Sequence, residues 1–515
     1  MHLQKKIILL LIVSFLLFSF TGCDLISKYL GIDLGGSPIK ITDPANGQTV
    51  SGTYTFIGVF SGSIDSVILK IGDQEFKDVT LSVNGTWKVT VDLSIFPPGD
   101  YTVTAYGYEG ITEIDHYSIM ITIEGSQSLW LDLSSGAAKY VFLDDPDYSG
   151  SPAKLTDVTT DGNYLYIGGY YLDTGTSKFR PFVYKVDPVA GNFVKKYVWE
   201  TDFSYSNNPN PVLVEYASPD DSVYVAFSQE DTSSNPFNYA VRKLKSDLTL
   251  SYEYSYTPAN TFHFNDMVYD GSGAEPALYF TGNIDGASIM VLQVKDYGSS
   301  LAQGIYGDSG LAGDGYGIVN PASSSYLYVA GRYYSGSNYA AVIRFAKSDL
   351  SVSSQNTSVH INGEFLGATY GNGYIYATGY FKNGSGYDRS TALEQIDPAD
   401  ISIVTDHGFS ITSAAPYDVN DEAGLSVIYD SGNQYYVLAG NQKRTSSDFS
   451  AARASVCVRD SSYNEVKTVI FEESGYGESS FYSVVQIGTD YLGVGYAKDD
   501  STGNYKPLIL ELSSN

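Results

Sequence analysis

The sequence predicts an all-β protein, a β-sandwich followed by a β-propeller of about seven four-stranded blades. Two observations carry this. First, the strand-length phrase Tyr326-Leu-Tyr-Val-Ala-Gly-Arg-Tyr-Tyr334 recurs as Tyr164-Leu-Tyr-Ile-Gly-Gly-Tyr-Tyr171 and as Tyr374-Ile-Tyr-Ala-Thr-Gly-Tyr-Phe381, with looser copies at 223–227, 278–282, 435–440 and 491–496. About seven copies at intervals of roughly 50–60 residues is the periodicity of an array of blades. Second, the chain holds 46 Tyr and 51 Gly against 3 Trp and 4 Met, a balance that suits many short strands and tight turns.

Each copy has the same internal order. A first strand opens on a small or acidic residue, as in Leu155-Thr-Asp-Val158, Phe264-Asn-Asp-Met267, Tyr316-Gly-Ile-Val319, Leu366-Gly-Ala368, Leu425-Ser-Val427 and Tyr482-Ser-Val484. The Tyr-rich strand is second, and a third follows a polar loop, as in Phe182-Val-Tyr-Lys-Val186 or Ala341-Val-Ile-Arg-Phe345. A turn such as Asp187-Pro188 leads to a fourth, as in Asn192-Phe-Val-Lys-Lys-Tyr197. Four antiparallel strands make a blade, and radial packing shields the short edges. Gly317, Gly367, Ser426 and Ser483 read as the small residues needed where first strands crowd at the axis. The ends of the repeat region suggest closure: Leu508-Ile-Leu-Glu-Leu512 stops without a fourth strand, and Ala138-Lys-Tyr-Val-Phe-Leu143 has that pattern. Pairing the two would remove an exposed edge. Leu129–Leu133 is then surplus, and an eighth partial blade is the other reading.

Ahead of the repeats, residues 38–125 alternate short strands with turns, about seven in under 90 residues, as a sandwich requires. Pro44-Ala-Asn-Gly-Gln-Thr-Val-Ser-Gly52, Val67-Ile-Leu-Lys-Ile-Gly-Asp73 and Pro98-Gly-Asp-Tyr-Thr-Val-Thr-Ala105 resemble bacterial Ig-like domains. That resemblance implies a spacer or adhesion module without catalytic residues. Trp87 alternates with Val89 and Val91 and reads as core; His116 reads as an isolated strand residue. Gly315-Tyr-Gly-Ile-Val319, Tyr328-Val-Ala-Gly331 and Val183-Tyr-Lys-Val-Asp-Pro188 resemble the SBBP class of bacterial propeller repeats. This second likeness spans 128–515 and implies a fold and an envelope setting, with no catalytic residue to transfer.

The chain opens with Lys5-Lys6, an apolar run over 7–20 and Thr21-Gly-Cys23. These are the parts of a secretory signal, and the run is short for a membrane span. Gly22-Cys23 resembles a bacterial lipobox, with Phe20 where Leu is usual. The resemblance implies a signal peptide over 1–22, lipidation (palmitate among the acyl chains) at Cys23, and a tether over 23–37, hence an extracytoplasmic, membrane-anchored protein of the cell envelope. Losing Lys5 and Lys6 would take the charge from −28 to −30, which disfavours nucleic acid as a partner. With Cys23 lipidated, only Cys457 remains, and its setting in Ala454-Ser-Val-Cys-Val458 reads as a buried structural thiol.

Chemistry is sparse. Gly307-Asp-Ser-Gly310 resembles a trypsin-like nucleophile segment, but Leu311 stands where glycine should follow and the scaffold is wrong. Asp145-Pro-Asp147-Tyr-Ser-Gly150 mimics the start of a calcium loop, with Thr156 in place of its closing Glu. Asp157 and Asp266, at matching positions, are candidates to face a channel and hold a cation; turn capping is the plainer role. No cofactor is otherwise expected. Exposed rim aromatics are the ligand-binding candidates, namely Tyr171, Tyr334 and Phe381, each the second of an adjacent pair; filling between blades is the alternative. The favoured function is a non-catalytic module that binds polysaccharide or protein. The alternatives are a glycan-active enzyme, a glycosidase or lyase, and an envelope assembly factor. Three inward carboxylates at the channel mouth would favour the enzyme, and a ring of Gly, Ser and Tyr would favour binding.

Overall fold

The computed structural model describes residues 38–513 apart from 51–52, 73, 94–95, 97–98, 124–137, 144–150, 189–191, 200–210, 230–237, 257–261, 274, 323, 383–388, 410–416 and 445–451. Cys23, Asp145, Asp147 and Leu129–Leu133 therefore lie outside the described residues. The chain divides into two units, Met1–Gln127 and Ser128–Asn515.

In the first unit one sheet runs in the order Ile39–Asp43, Thr53–Phe60, Thr86–Asp92, Thr80–Ser82. The facing sheet runs Gln48–Val50, Thr112–Ile123, Gly99–Glu109, Ser66–Ile71, Gln74–Phe76. Alternation along each strand sends Ile39, Ile41, Phe56, Leu69, Val89, Val91 and Val103 into one shared core. Trp87 is 1 % exposed within it. A Cβ on the neighbouring Gly58 would lie 2.2 Å from the indole, so this glycine is what lets the largest side chain of the unit lie flat against a strand. His116 sits on the surface, its Nδ1 3.0 Å from Glu113.

The described strands of the second unit fall into seven sets of four. Ala153–Thr160, Leu165–Asp173, Lys178–Asp187 and Asn192–Val198 pair in sequence order, each antiparallel to the last. The same meander repeats from Leu213–Ala217, Phe262–Asp270, the second half of Leu301–Val319, Gly363–Gly371, Tyr417–Asp430 and Tyr476–Ile487. Leu301–Val319 is both the outer strand of the third set and the inner strand of the fourth. The Gly307-Asp-Ser-Gly310 phrase is the turn within it. Asp308 accepts the Gly310 N–H at 2.8 Å and the Ser309 hydroxyl accepts the Leu311 N–H at 3.1 Å, which makes the serine part of a turn.

Inner strands of successive sets touch, and the last touches the first, closing a ring. Closure comes as the chain ends suggest. Ala138–Phe142 is the fourth strand of the last set, with Ala138 opposite Leu512 and Phe142 opposite Leu508. The Leu143 N–H continues the pairing onto the Pro507 carbonyl at 3.2 Å.

The abundant tyrosines join one set to the next. Tyr166, Tyr224 and Tyr328 occupy one position of the second strand, and their hydroxyls reach forward to the Ser246 carbonyl, the Asp296 carboxylate and the Pro398 carbonyl. In the last set the tyrosine stands one residue earlier: Tyr491 faces Gln486 where Leu165 faces Thr160. A shift of one flips a strand side chain to the opposite face. Tyr491 accordingly reaches backward, donating to Asp430 at 2.6 Å. Around Asp296 the contact is ionic as well. Lys243, buried, lies 2.6 Å from that carboxylate and also pairs with Asp220. Cys457 is fully buried, and burial pushes its thiol up, as expected of a structural cysteine.

Candidate functional site: the axial cavity

Six of the seven inner strands carry a register shift at the same place, after Leu155, Phe264, Gly315, Phe365, Gly424 and Phe481. A bulge inserts one unpaired residue and re-aims its side chain. Here the extra residues are Thr156, Asn265, Tyr316, Leu366, Leu425 and Tyr482, and all six line a single cavity of about 310 Å³. The second set has no shift; Pro211, just ahead of its inner strand, takes that place on the wall, and Tyr170 from a second strand completes it. Every set thus gives at least one side chain to the axis, and the first gives two.

The residue after each bulge explains the small and acidic positions of the repeat. A Cβ on Gly317 would lie 2.6 Å from the Ala368 nitrogen, and one on Gly367 2.6 Å from the Leu425 carbonyl oxygen. Backbones approach so closely there that no side chain fits. Where the gap is wider, a carboxylate bridges it. Asp157 accepts the N–H of Val214 in the next set at 2.9 Å, its own neighbour Val158 at 2.8 Å, and the Ser483 hydroxyl at 2.9 Å across the closure. Asp266 likewise accepts Ile318 and Met267 N–H groups, both at 2.8 Å. Glu215 faces the Tyr269 N–H at 3.4 Å.

These three carboxyl groups sit between successive inner strands, on half-buried residues. Burial pushes them up, Asp157 to about 6, Asp266 to about 7 and Glu215 to about 8, and mutual repulsion adds to the last two. Their hydrogen bonds oppose the shift without cancelling it. Asp157 and Asp266, read from the sequence as cation candidates or turn caps, here accept main-chain N–H groups. Asp157 takes the Ser483 hydroxyl as well, and no group of three metal-ligating side chains occurs among the described residues. Glu215 belongs to the one inner strand that the repeat pattern does not reveal. Its phrase Val212-Leu-Val-Glu-Tyr216 lacks the small or acidic opening, and only its spacing from Asp157 could have found it.

Two cations stand near the wall, both matched. The Lys154 ammonium lies 4.0 Å from the ring centre of Tyr496 and 3.9 Å from that of Tyr505, and burial lowers its pKa. Tyr496 donates to Glu478 and stacks at a tilt on Tyr482, centroids 5.6 Å apart. Arg332 pairs with Asp314 and, at 3.1 Å, with Glu364.

The rim aromatics need a correction at two of the three candidate positions. Tyr171 and Phe381 are buried, 8 % and 4 % exposed, against Phe182 and Phe365. Tyr334 is open, at 55 %. Successive strand residues face opposite ways, so in the first set it is Tyr170, not Tyr171, that reaches a cavity. Thr156, the would-be end of a calcium loop, has its hydroxyl donating to the Val212 carbonyl at 2.8 Å and accepting the Val212 N–H at 3.0 Å.

Residues 38–105 match the family described as Bacterial Ig domain. The first unit is therefore a bacterial Ig-like module. Among solved structures the chain is similar to the Dos1 propeller, at 10 % identity over 80 % of this chain and 88 % of that one, with a TM-score of 0.42. It is also similar to the WD40 propeller domain of Doa1, at 11 % identity over 71 % and 95 %, TM-score 0.40. A shorter likeness, 15 % identity over 19 % of this chain, is to the endo-beta-1,4-mannanase from Thermotoga petrophila; it spans 21 % of that chain, with a TM-score of 0.17. No curated protein matches. The propeller is evident in the strand order and the ring closure themselves.

Proposed function

We propose that this chain is a lipid-anchored protein of the bacterial cell envelope whose propeller is a non-catalytic binding module for polysaccharide or protein, with the Ig-like module as spacer. A glycan is the ligand the cavity fits best. The observation that carries this is the composition of the axial wall. Three tyrosines, an asparagine and a threonine share the wall with Leu366, Leu425 and Pro211, and no carboxylate lines it among the described residues. Ring faces beside hydrogen-bonding groups suit sugars, whose two faces are apolar and whose edges are hydroxyls. The purified chain is expected to retain at least one glycan on an array, and Tyr316→Ala and Tyr482→Ala should each weaken retention tenfold or more while the protein stays folded. Asn265→Ala, a smaller change, guards against a folding defect. Undiminished retention by all three variants, or capture of proteins alone, would reject the glycan reading.

One observation favours an enzyme: a carboxyl that holds its proton near neutral pH is what a general acid requires, and the axis has three raised groups. New reducing ends appearing on a captured glycan, lost in Glu215→Gln, would establish that alternative. The anchor is tested separately. Cys23→Ala is expected to move the chain from the membrane to the soluble fraction; a variant still sedimenting with membranes removes the lipid anchor from the proposal.

A further inference from the structure

We infer that the axial cavity selects the uncharged terminal sugar of a glycan, taken end-on, and rejects anionic sugars; this rests on the glycan-binding reading above. Shape gives the end-on part. All seven sets contribute to the wall, so the cavity is enclosed around its axis. A polymer bound along its length needs a groove open on two sides, whereas an enclosed axial cavity admits only a chain end or a branch. At about 310 Å³ it is near the lower limit of ligand pockets, roughly 300–1,000 Å³.

Charge gives the selectivity. Among the described residues the wall carries no charged side chain. The cations beside it are already matched, Lys154 by two tyrosine rings and Arg332 by two carboxylates. An anionic sugar would have to displace one of those partners to gain a counter-ion. Immediately after the wall residues Thr156 and Asn265 in the chain come Asp157 and Asp266, neither of which can pair with an anion. A carboxylate on the ligand would lose its water with no free counter-ion to replace it, inside a chain of net charge −28. An uncharged sugar has no such cost. It stacks on Tyr316 or Tyr482 and hydrogen-bonds with the hydroxyls and with Asn265, whose Nδ2 donates to the Gly315 carbonyl at 2.8 Å while its carbonyl oxygen faces no donor among the bonds described.

The test compares matched oligosaccharides on the purified full chain by calorimetry. Neutral gluco-, manno- and N-acetylated chito-oligosaccharides are set against the same chains with the non-reducing terminal C6 oxidised to a carboxylate. At least one neutral series is expected to bind, and its oxidised counterpart to bind tenfold or more weakly. Oxidation confined to internal sugars should leave binding unchanged. Leu366→Lys, which adds a cation to the wall, is expected to recover the oxidised terminus. Equal binding of neutral and oxidised termini overturns the selectivity while the glycan reading stands. Loss on internal oxidation alone overturns the end-on mode. Should none of the sugars bind, the glycan reading and the selectivity fall together. The wild-type comparison decides the matter even if Leu366→Lys does not fold.

Discussion

Replacing Val141 by proline is expected to destabilise the propeller by about 3 kcal/mol or more, although residue 141 lies over 360 positions from the strand it pairs with. Leu143 donates to Pro507, and hydrogen-bonded pairs alternate along an antiparallel ladder. Val141, opposite Ile509, therefore belongs to the next hydrogen-bonded pair. Proline removes that donor, and its ring crowds a strand whose inward face is fully buried with Leu155, Ile509 and Val494. The damage falls where the ring closes, so it removes the outermost strand of the last set. Val141→Ala keeps the ladder bond and loses only buried volume, for about 1–2.5 kcal/mol. Chemical denaturation of the two variants checks the order. If Val141→Pro unfolds at the wild-type midpoint, the closing strand contributes nothing and the ring is held by other contacts.

A second large effect concerns pH. Between pH 5 and 8.5 the protein is expected to lose stability as pH rises, by an amount on the order of a few kcal/mol. In the unfolded chain Asp157, Asp266 and Glu215 ionise near pH 4. In the folded chain they hold their protons to about 6, 7 and 8. Over that interval the folded state binds more protons than the unfolded one, so each rise in pH favours unfolding, and the loss levels off above about pH 8. Carboxylates shifted the other way do not mask this. Asp296 and Asp430 are held down by hydrogen bonds that outweigh their burial, and their contribution disappears only below the ordinary carboxylate range. Glu215→Gln should flatten the profile, gaining stability at pH 8.5 and changing little at pH 5. A midpoint that is constant or climbs from pH 5 to 8.5 would show that the three groups ionise freely in the ring.

The single-chain pattern was legible wherever the physics is local or repeats. The Tyr-rich phrase marks second strands because aromatic residues suit a pleated surface buried on both faces, and all seven copies lie in such strands. Closure was legible because an incomplete last repeat and a spare strand pattern at 138–143 can satisfy each other's edges. Gly317 and Gly367 were legible too, since only crowding explains a small residue recurring at one place.

The site was not legible, and the reason is geometric. Thr156, Asn265, Tyr316, Leu366, Leu425 and Tyr482 share no side-chain chemistry; they share a bulge, which is a feature of strand pairing and has no residue signature here. Which of two adjacent aromatics faces a cavity depends on strand register, so Tyr170 and Tyr171 exchange roles relative to expectation. Asp157, Glu215 and Asp266 come from three different inner strands more than 50 residues apart. Sequence alone determined how each blade is ordered, because that depends on neighbours along the strand. Only the closed ring decided which side chains meet at its axis, because that position is set by the curvature of all seven sets together.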